Sequence, residues 1–183
     1  MGKPKRPEYA NLVMFVFSEN IDETLETLTP TLEKEFGYID YISKALDFSK
    51  YTKFYSREIG ERLFGKLLSF KELIYPTEIV NIKLKTNSIE EGFSIGGRRK
   101  VNIDPGYVNQ VQFVLASTKF WGNRIYLGKG IYAEVTLMFL NGKFHALDYT
   151  YPNYKDREYQ EELEKIRKLY IIKRREHFRR NSI

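Results

Sequence analysis

Two groups of polar residues in this sequence have the types and spacing that suit the binding of an anion. The first is the run Gly96-Gly97-Arg98-Arg99-Lys100, with Asp104-Pro105-Gly106 four residues further on. Backbone amides in a glycine-rich turn attract anions, and three adjacent cations add positive charge. A phosphorylated ligand would fit here, and Lys119 either lines the same cleft or simply closes the helix that follows Asp104. A turn followed by an exposed strand, with Asp104 only capping a helix, explains the residues equally well.

The second group is a predicted row of side chains across three strands. Asn141-Gly142 favours a two-residue hairpin loop, which sets Glu134 opposite Tyr149. A three-residue loop at Gly128-Lys129-Gly130 sets Arg124 opposite Glu134. A carboxylate between a guanidinium and a phenol could orient a phosphate-binding arginine or act as a base. An ordinary cross-strand ion pair on a solvated face is the simpler alternative.

Several kinds of chemistry are excluded by composition and by motif. The chain has 183 residues with no cysteine and two histidines, so disulfides and thiolate metal sites are absent and histidine metal sites are disfavoured. Gly60 to Lys66 matches G-x-x-x-x-G-K, but the next residue is Leu67, where a P-loop needs Ser or Thr to hold magnesium. No apolar run reaches the roughly 18 residues of a membrane span. We expect a soluble cytoplasmic protein with no membrane partner.

The formal net charge of +6 is concentrated at the two ends of the chain. Residues 165–180 contain eight basic residues against Glu176, whereas residues 9–164 sum to −3. A solvated helix end explains this distribution, because cations are favoured at helix C-termini. The functional alternative is an RNA-binding or protein-interaction helix, in which RNA would contact Arg174, Arg175, Arg179 and Arg180.

These candidate residues must be positioned by elements whose order is visible in the apolar pattern. Pro30 lies inside the first predicted helix and should kink it or split it at Thr29. Alternating apolar residues over 80–86 also fit a strand, so residues 76–92 could be partly extended. The predicted order is that of a ferredoxin-like βαββαβ core. The elements are strands at 12–17, 38–46, 63–73 and 99–103, and helices at 21–36 and 76–92.

The rest of the chain, residues 104–183, is predicted to extend this core. Asp104-Pro105 suits the cap and first turn of a helix that runs to about Ser117. An antiparallel β-meander follows, and residues 156–178 form a helix. The fold class is therefore α+β. We expect one α+β domain over residues 9–155, and a basic C-terminal helix, 156–183, that packs on it or extends from it.

Several stretches resemble a known family, the domain-of-unknown-function family 4416. The most specific block runs from Arg99 to Leu137, and the resemblance covers nearly the whole chain. It implies a small prokaryotic protein without an established activity. Some members carry the label GTP-binding protein, but this chain has neither a complete P-loop nor an N-K-x-D guanine reader. The stretches that carry the resemblance are residues 55–60, 68–70, 99–107, 114–119, 124–137 and 149–154.

The family pattern coincides with the two polar groups, which favours one composite site. Arg99, Lys119 and Arg124 would contact a phosphorylated or nucleotide-like small molecule. The carboxylates would orient these cations or hold a divalent cation, although no dedicated metal site and no cofactor are indicated. No nucleophile is evident, so the pattern leaves open whether a reaction is catalysed. The candidate ligand-binding residues are Arg99, Asp104, Lys119, Arg124, Glu134 and Tyr149.

Overall fold

A computed structural model describes residues 2–56 and 58–180 as a mixed α/β protein with one large antiparallel sheet and four helices. The strands are β1 (Ala10–Ser18), β2 (Ile39–Ile42), β3 (Leu46–Asp47), β4 (Phe64–Ile74), β5 (Asn102–Val108), β6 (Gln112–Ser117), β7 (Ile125–Gly128), β8 (Ile131–Leu140) and β9 (Lys143–Ala146). The helices are α1 (Ile21–Phe36), α2 (Ile79–Gly92), α3 (Pro152–Lys155) and α4 (Arg157–Arg180).

Strand β1 lies inside the sheet, between β4 and β5, and both of its faces are covered. The strand order is β2-β4-β1-β5-β6-β8-β7, with β3 also paired to β4 and β9 to β8. Every residue of β1 is buried, as expected of a continuous apolar strand. One face carries α1 and α2, with Leu12 and Met14 in that core. The other face carries α4, with Phe15 and Phe17 in a second core.

The two helices on the first face form largely as the sequence predicts. Helix α1 is one unbroken helix, so the expected split at Thr29 is wrong. Pro30 lies on its exposed side, where water can hydrate the carbonyl that proline leaves without a donor. Leu28 and Leu32 on the opposite side are fully buried and anchor both halves. Helix α2 follows a 3-10 turn at Pro76–Glu78, so residues 76–92 contain no strand.

The predicted helix from Asp104 to Ser117 is wrong. Residues 102–117 form the antiparallel strands β5 and β6 instead. Asn109 makes the turn, since its side-chain oxygen accepts hydrogen bonds from the backbone of Val111 and Gln112. Asp104-Pro105 therefore lies inside a strand that pairs with β1. Burial against two cores outweighs the local capping signal.

The turn-based registers in the second half of the sheet are confirmed over most of their length. Leu140 pairs with Lys143 across the Asn141-Gly142 turn, and Tyr126 pairs with Tyr132 across the glycine turn. Strand β8 pairs with β6 along most of its length, while β7 and β9 pair with its two ends. β8 is thus the shared partner of three strands.

Helix α4 covers the second face of the sheet with one apolar stripe. The stripe is Tyr159, Leu163, Ile166 and Tyr170, all buried. Tyr41 donates a short hydrogen bond to Glu162, which fixes the helix to strand β2. Among the described helices, none combines the length and the apolarity that a transmembrane segment requires.

Gly106 should be required for the pairing of β5 with β6. A Cβ at this position would collide with the backbone oxygen of Val114, which cannot move without breaking the ladder. Gly106→Ala should lower the free energy of unfolding by about 1–3 kcal/mol. Gly122→Ala is the control, because a Cβ there meets nothing within 4 Å. Urea unfolding of both variants measures the difference, and equal stabilities would contradict this account.

Candidate functional site

The site begins where strands β5 and β6 separate. They pair only through Gly106–Val108 and Phe113–Leu115, so the start of β5 has no partner in β6. Side chains from α2 satisfy the backbone there. Lys83 donates from Nζ to the Ile103 carbonyl oxygen at 3.1 Å, and the Ile103 amide donates to Glu90 Oε1 at 2.7 Å. Both charged side chains are buried. Their hydrogen bonds to Ile103 take the place of those that a neighbouring strand would make.

The gap opens into a cavity of about 440 Å³, within the roughly 300–1,000 Å³ of ordinary ligand pockets. Strands β5, β6 and β8, the segment after β6, helix α2 and the start of α3 all contribute to its wall. Residues far apart in sequence are thus brought together at one place. Five of the six candidate residues line it, namely Arg99, Asp104, Lys119, Arg124 and Glu134.

Arg99 is held by two carboxylates and an amide. Its Nε and Nη2 donate to the two oxygens of Glu58 at 2.6 and 2.8 Å. Its Nη1 donates to Glu90 Oε2 at 2.8 Å and to Asn102 Oδ1 at 3.1 Å. These carboxylates raise the pKa of Arg99, whereas burial raises the pKa of Glu90. The guanidinium is largely committed to the protein.

Arg124 forms the predicted pair with Glu134. Its Nε donates to Glu134 Oε2 at 3.0 Å, and its Nη1 donates to Ser117 Oγ and to the Lys119 carbonyl oxygen, each at 2.9 Å. Glu134 is buried, and the guanidinium is about three-quarters covered. The pair therefore fixes the segment between β6 and β7 against β8.

Lys119 and Asp104 are the charged groups with the most capacity left. Within the described part of the chain, Lys119 has no carboxylate partner, and its Nζ lies 4.4 Å from the centre of the Phe54 ring. Asp104 contacts Lys83 Nζ through Oδ1 only, at 3.4 Å, and its side chain is 35% exposed. A cation and a carboxylate can thus both meet a ligand.

A loop of aromatic residues covers the cavity, and we call residues 49–56 and 58–63 the covering loop. Its two ends meet, because the Ser49 amide donates to the Leu63 carbonyl oxygen and the Leu63 amide to Ser49 Oγ. Phe54 and Tyr55 from this loop line the cavity. Burial, followed by the charge of Asp104, raises the pKa of Tyr55, so this phenol stays protonated. Aromatic side chains of the covering loop therefore line one part of the cavity, and charged side chains of the sheet and of helix α2 line another.

Buried amides in the wall add unused hydrogen-bonding capacity. Asn102 Nδ2 and both side-chain polar atoms of Asn153 are buried, and no described residue gives them a hydrogen bond of good geometry. Asn153 lies close enough to Tyr154 and Tyr159 to lower their pKa slightly, against the larger rise caused by burial. Buried amides usually have partners, so these groups are positioned for a ligand or for water.

Tyr149 is the candidate residue that the structure leaves outside the cavity wall. Strand β9 ends at Ala146, so Tyr149 is not a cross-strand neighbour of Glu134 as predicted. A turn from Leu147 to Thr150 ends the strand, and the Tyr149 hydroxyl donates to the Val135 carbonyl oxygen at 3.1 Å. Burial, followed by the charge of Glu134, raises the pKa of this phenol.

Two charged residues of helix α2 belong to the site but were not predicted from the sequence. Lys83 and Glu90 are seven residues apart on the buried side of the helix, beside Ile82 and Ile89. Charged residues within an apolar helical stripe were the available signal, because such groups are buried only when they have partners. No group of three or more potential metal ligands occurs in the described ranges.

The basic end of helix α4 is partly neutralised. Arg174 donates from Nε and Nη2 to Glu8 at 2.7 and 2.9 Å, and Lys173 pairs with Asp40 at 2.6 Å. Arg175 and Arg179 are exposed and form no ion pair with a described residue. The side chain of Arg180 lies outside the described part.

The fold and site define a mixed α/β protein with a wide antiparallel sheet and a charged cavity where two strands part. The chain belongs to the domain of unknown function (DUF4416) family, whose model matches residues 8–170. The matched range includes every residue that lines the cavity, and it confirms the resemblance seen in the sequence. Neither a search of curated proteins nor a search of solved structures found a match.

Glu58 should hold the covering loop closed. Glu58→Gln removes the charge that pairs with Arg99, so the loop should be cut faster by protease and exchange amide hydrogens faster. The free energy of unfolding should fall by less than about 1 kcal/mol, because Glu58 is part-exposed. Glu61→Gln is the control, since this exposed residue of the same loop has no ion pair with a described residue. Equal loop exchange in both variants would contradict this role.

The same contact predicts a pH dependence. The hydrogen bonds from Arg99 lower the pKa of Glu58 below its ordinary value of 4.5. The closed loop therefore binds fewer protons than the open loop, and the contribution of Glu58 is present above pH 4.5 and lost as the pH falls through the lowered pKa. Loop exchange in the wild type and in Glu58→Gln should differ at pH 7 and converge in acid. A difference that persists in acid would show another cause.

Proposed function

We propose that the cavity between β5 and β6 binds a small phosphorylated or nucleotide-like molecule. The observation that carries this proposal is the convergence of Arg99, Asp104, Lys119, Arg124 and Glu134 on one cavity beneath an aromatic loop. A cavity of this size with convergent polar groups and aromatic rings has the features of a small-molecule site, and its many charged groups favour a charged ligand.

The cations have different roles in this proposal. Lys119 supplies the free positive charge for the phosphate, since it has no carboxylate to displace among the described residues. Arg124 presents a guanidinium edge beside it while Glu134 fixes its orientation. Arg99 acts through its carboxylates and supports the wall. The anion therefore enters on the side of Lys119.

The rest of the ligand would use the aromatic and amide groups. Phe54 and Tyr55 offer ring faces on which a planar group stacks. Asp104 accepts hydrogen bonds from hydroxyl or amino groups, and the amides of Asn102 and Asn153 can donate or accept. A sugar or base carries such groups beside its phosphate. We propose binding and assign no reaction.

The alternative of RNA binding through the basic end of helix α4 has less support. Arg174 is tied to Glu8, and the neighbouring Lys173 to Asp40. Of the four named cations, this leaves Arg175 and Arg179 as exposed residues whose side chains are described. Two cations by themselves supply only a weak electrostatic attraction for RNA.

We also propose that the first part of the fold is a ferredoxin-like unit extended by the later strands. The adjacent strands β2-β4-β1-β5 are all antiparallel, and α1 and α2 cover the same face. This strand order, with both helices on one face, supports a ferredoxin-like unit. In this reading the cavity lies at the junction of the unit with its extension.

A thermal-shift screen followed by calorimetry tests the ligand. The probes are inorganic phosphate, ribose 5-phosphate and the four nucleoside monophosphates, each with and without magnesium. At least one sugar phosphate or nucleotide should raise the melting temperature, and Lys119→Ala should weaken its binding by about 10-fold, the loss of one charge-assisted hydrogen bond. Lys34→Ala, an exposed cation on α1, is the matched control and should bind as the wild type does.

Asp104→Asn separates recognition of the ligand body from recognition of the phosphate. It should weaken binding of the sugar phosphate or nucleotide and leave that of inorganic phosphate unchanged. Folding of both variants is checked by their melting temperatures without ligand. The proposal is wrong if no probe binds, or if Lys119→Ala and Lys34→Ala bind equally well.

A further inference from the structure

We propose that the outer surface of residues 119–132, here called the edge surface, binds single-stranded nucleic acid. This inference goes beyond the proposed function and does not depend on occupancy of the cavity. The edge surface contains the segment after β6, strand β7 and the turn into β8. Strand β7 is the last strand of the sheet on this side, so one of its edges is open.

Large aromatic side chains are exposed on this surface. Phe120 is 72% exposed, Trp121 69% and Tyr126 59%. Phe120 and Tyr126 each contact the ring of Tyr132, with ring centres 5.9 and 5.2 Å apart. Phe120, Tyr132 and Tyr126 therefore form a continuous patch, and Trp121 follows Phe120 directly in the chain. An exposed apolar patch of this kind marks an interaction site.

The exposed charge of the same segment is positive. Residues 105–133 contain no acidic residue, although residues 9–164 as a whole sum to −3. Lys119 and Lys129 are the exposed cations of the edge surface, whereas Arg124 is paired with Glu134. The positive charge is therefore local to this end of the sheet. Cations interleaved with exposed rings are what a single strand requires, since bases stack on the rings while phosphates meet the cations.

Charge also decides between the possible occupants. A second copy of the chain would bring the two sets of cations face to face if the edges paired, without an acidic residue in the segment to oppose them. A polyanion has the complementary charge. A duplex hides the faces of its bases inside the stack, whereas a single strand exposes them. Single-stranded RNA or DNA is thus the occupant that matches both the rings and the charge.

Trp121 makes the test direct because it is the only tryptophan in the chain. Titration with oligo-U or oligo-dT of eight nucleotides should quench its fluorescence. Anisotropy of the labelled oligonucleotide should show an affinity that falls about 10-fold in Trp121→Ala and in Tyr126→Ala, the range expected for the loss of one stacked base. Affinity should also fall with added salt, as for any phosphate-binding surface.

Tyr38→Ala is the matched control, because Tyr38 is 62% exposed and adjoins β2 at the opposite edge of the sheet. It should bind the oligonucleotide as the wild type does. The inference is overturned if no oligonucleotide binds, if the Trp121 and Tyr126 variants match the control, or if a duplex of equal length binds equally well. Self-association of the wild type that Trp121→Ala abolishes, without oligonucleotide binding, would assign the surface to a second copy instead. If the wild-type cavity binds no nucleotide, these readouts are unaffected, because they compare the wild type with the Trp121 and Tyr126 variants.

Discussion

Two buried side chains of helix α2 determine where this sheet opens. Lys83 and Glu90 take both backbone groups of Ile103, which would otherwise need a neighbouring strand. A buried backbone group without a partner costs a few kcal/mol, so strands cannot simply diverge inside a protein. Because the helix supplies the hydrogen bonds, the part of β5 that precedes Gly106 can separate from β6 without that cost. The cavity and the access to its wall follow from this substitution.

The parts of the fold that the sequence predicts are those set by local chemistry. The Asn141-Gly142 turn fixes its register through glycine conformation, and the stripe of helix α4 follows from helical spacing. The helix predicted for residues 104–117 was wrong because Asp104-Pro105 is a good local helix start. Burial against both cores favours strands there instead. The apolar stripe around Lys83 and Glu90 was a signal of their burial, but their partners on β5 could not be identified from the sequence.

In the candidate site, the residue types could be predicted from the sequence, but the partners of those residues could not. Five residues chosen from two sequence clusters line one cavity, so their types and spacing were informative. Their states differ, however, since Arg99 is bound by Glu58 and Glu90 while Lys119 has no carboxylate partner in the described chain. A count of cations cannot distinguish these states. Only the arrangement of partners tells which charge a ligand can use.

The covering loop leaves the sheet and returns to it at nearly one point, where Ser49 meets Leu63. The length of such a loop can change at little entropic cost, because closure depends only weakly on the number of residues. Insertions or replacements within it would alter the roof of the cavity and leave the sheet in register. A change confined to this one segment could therefore reshape the cavity without disturbing the framework that holds it.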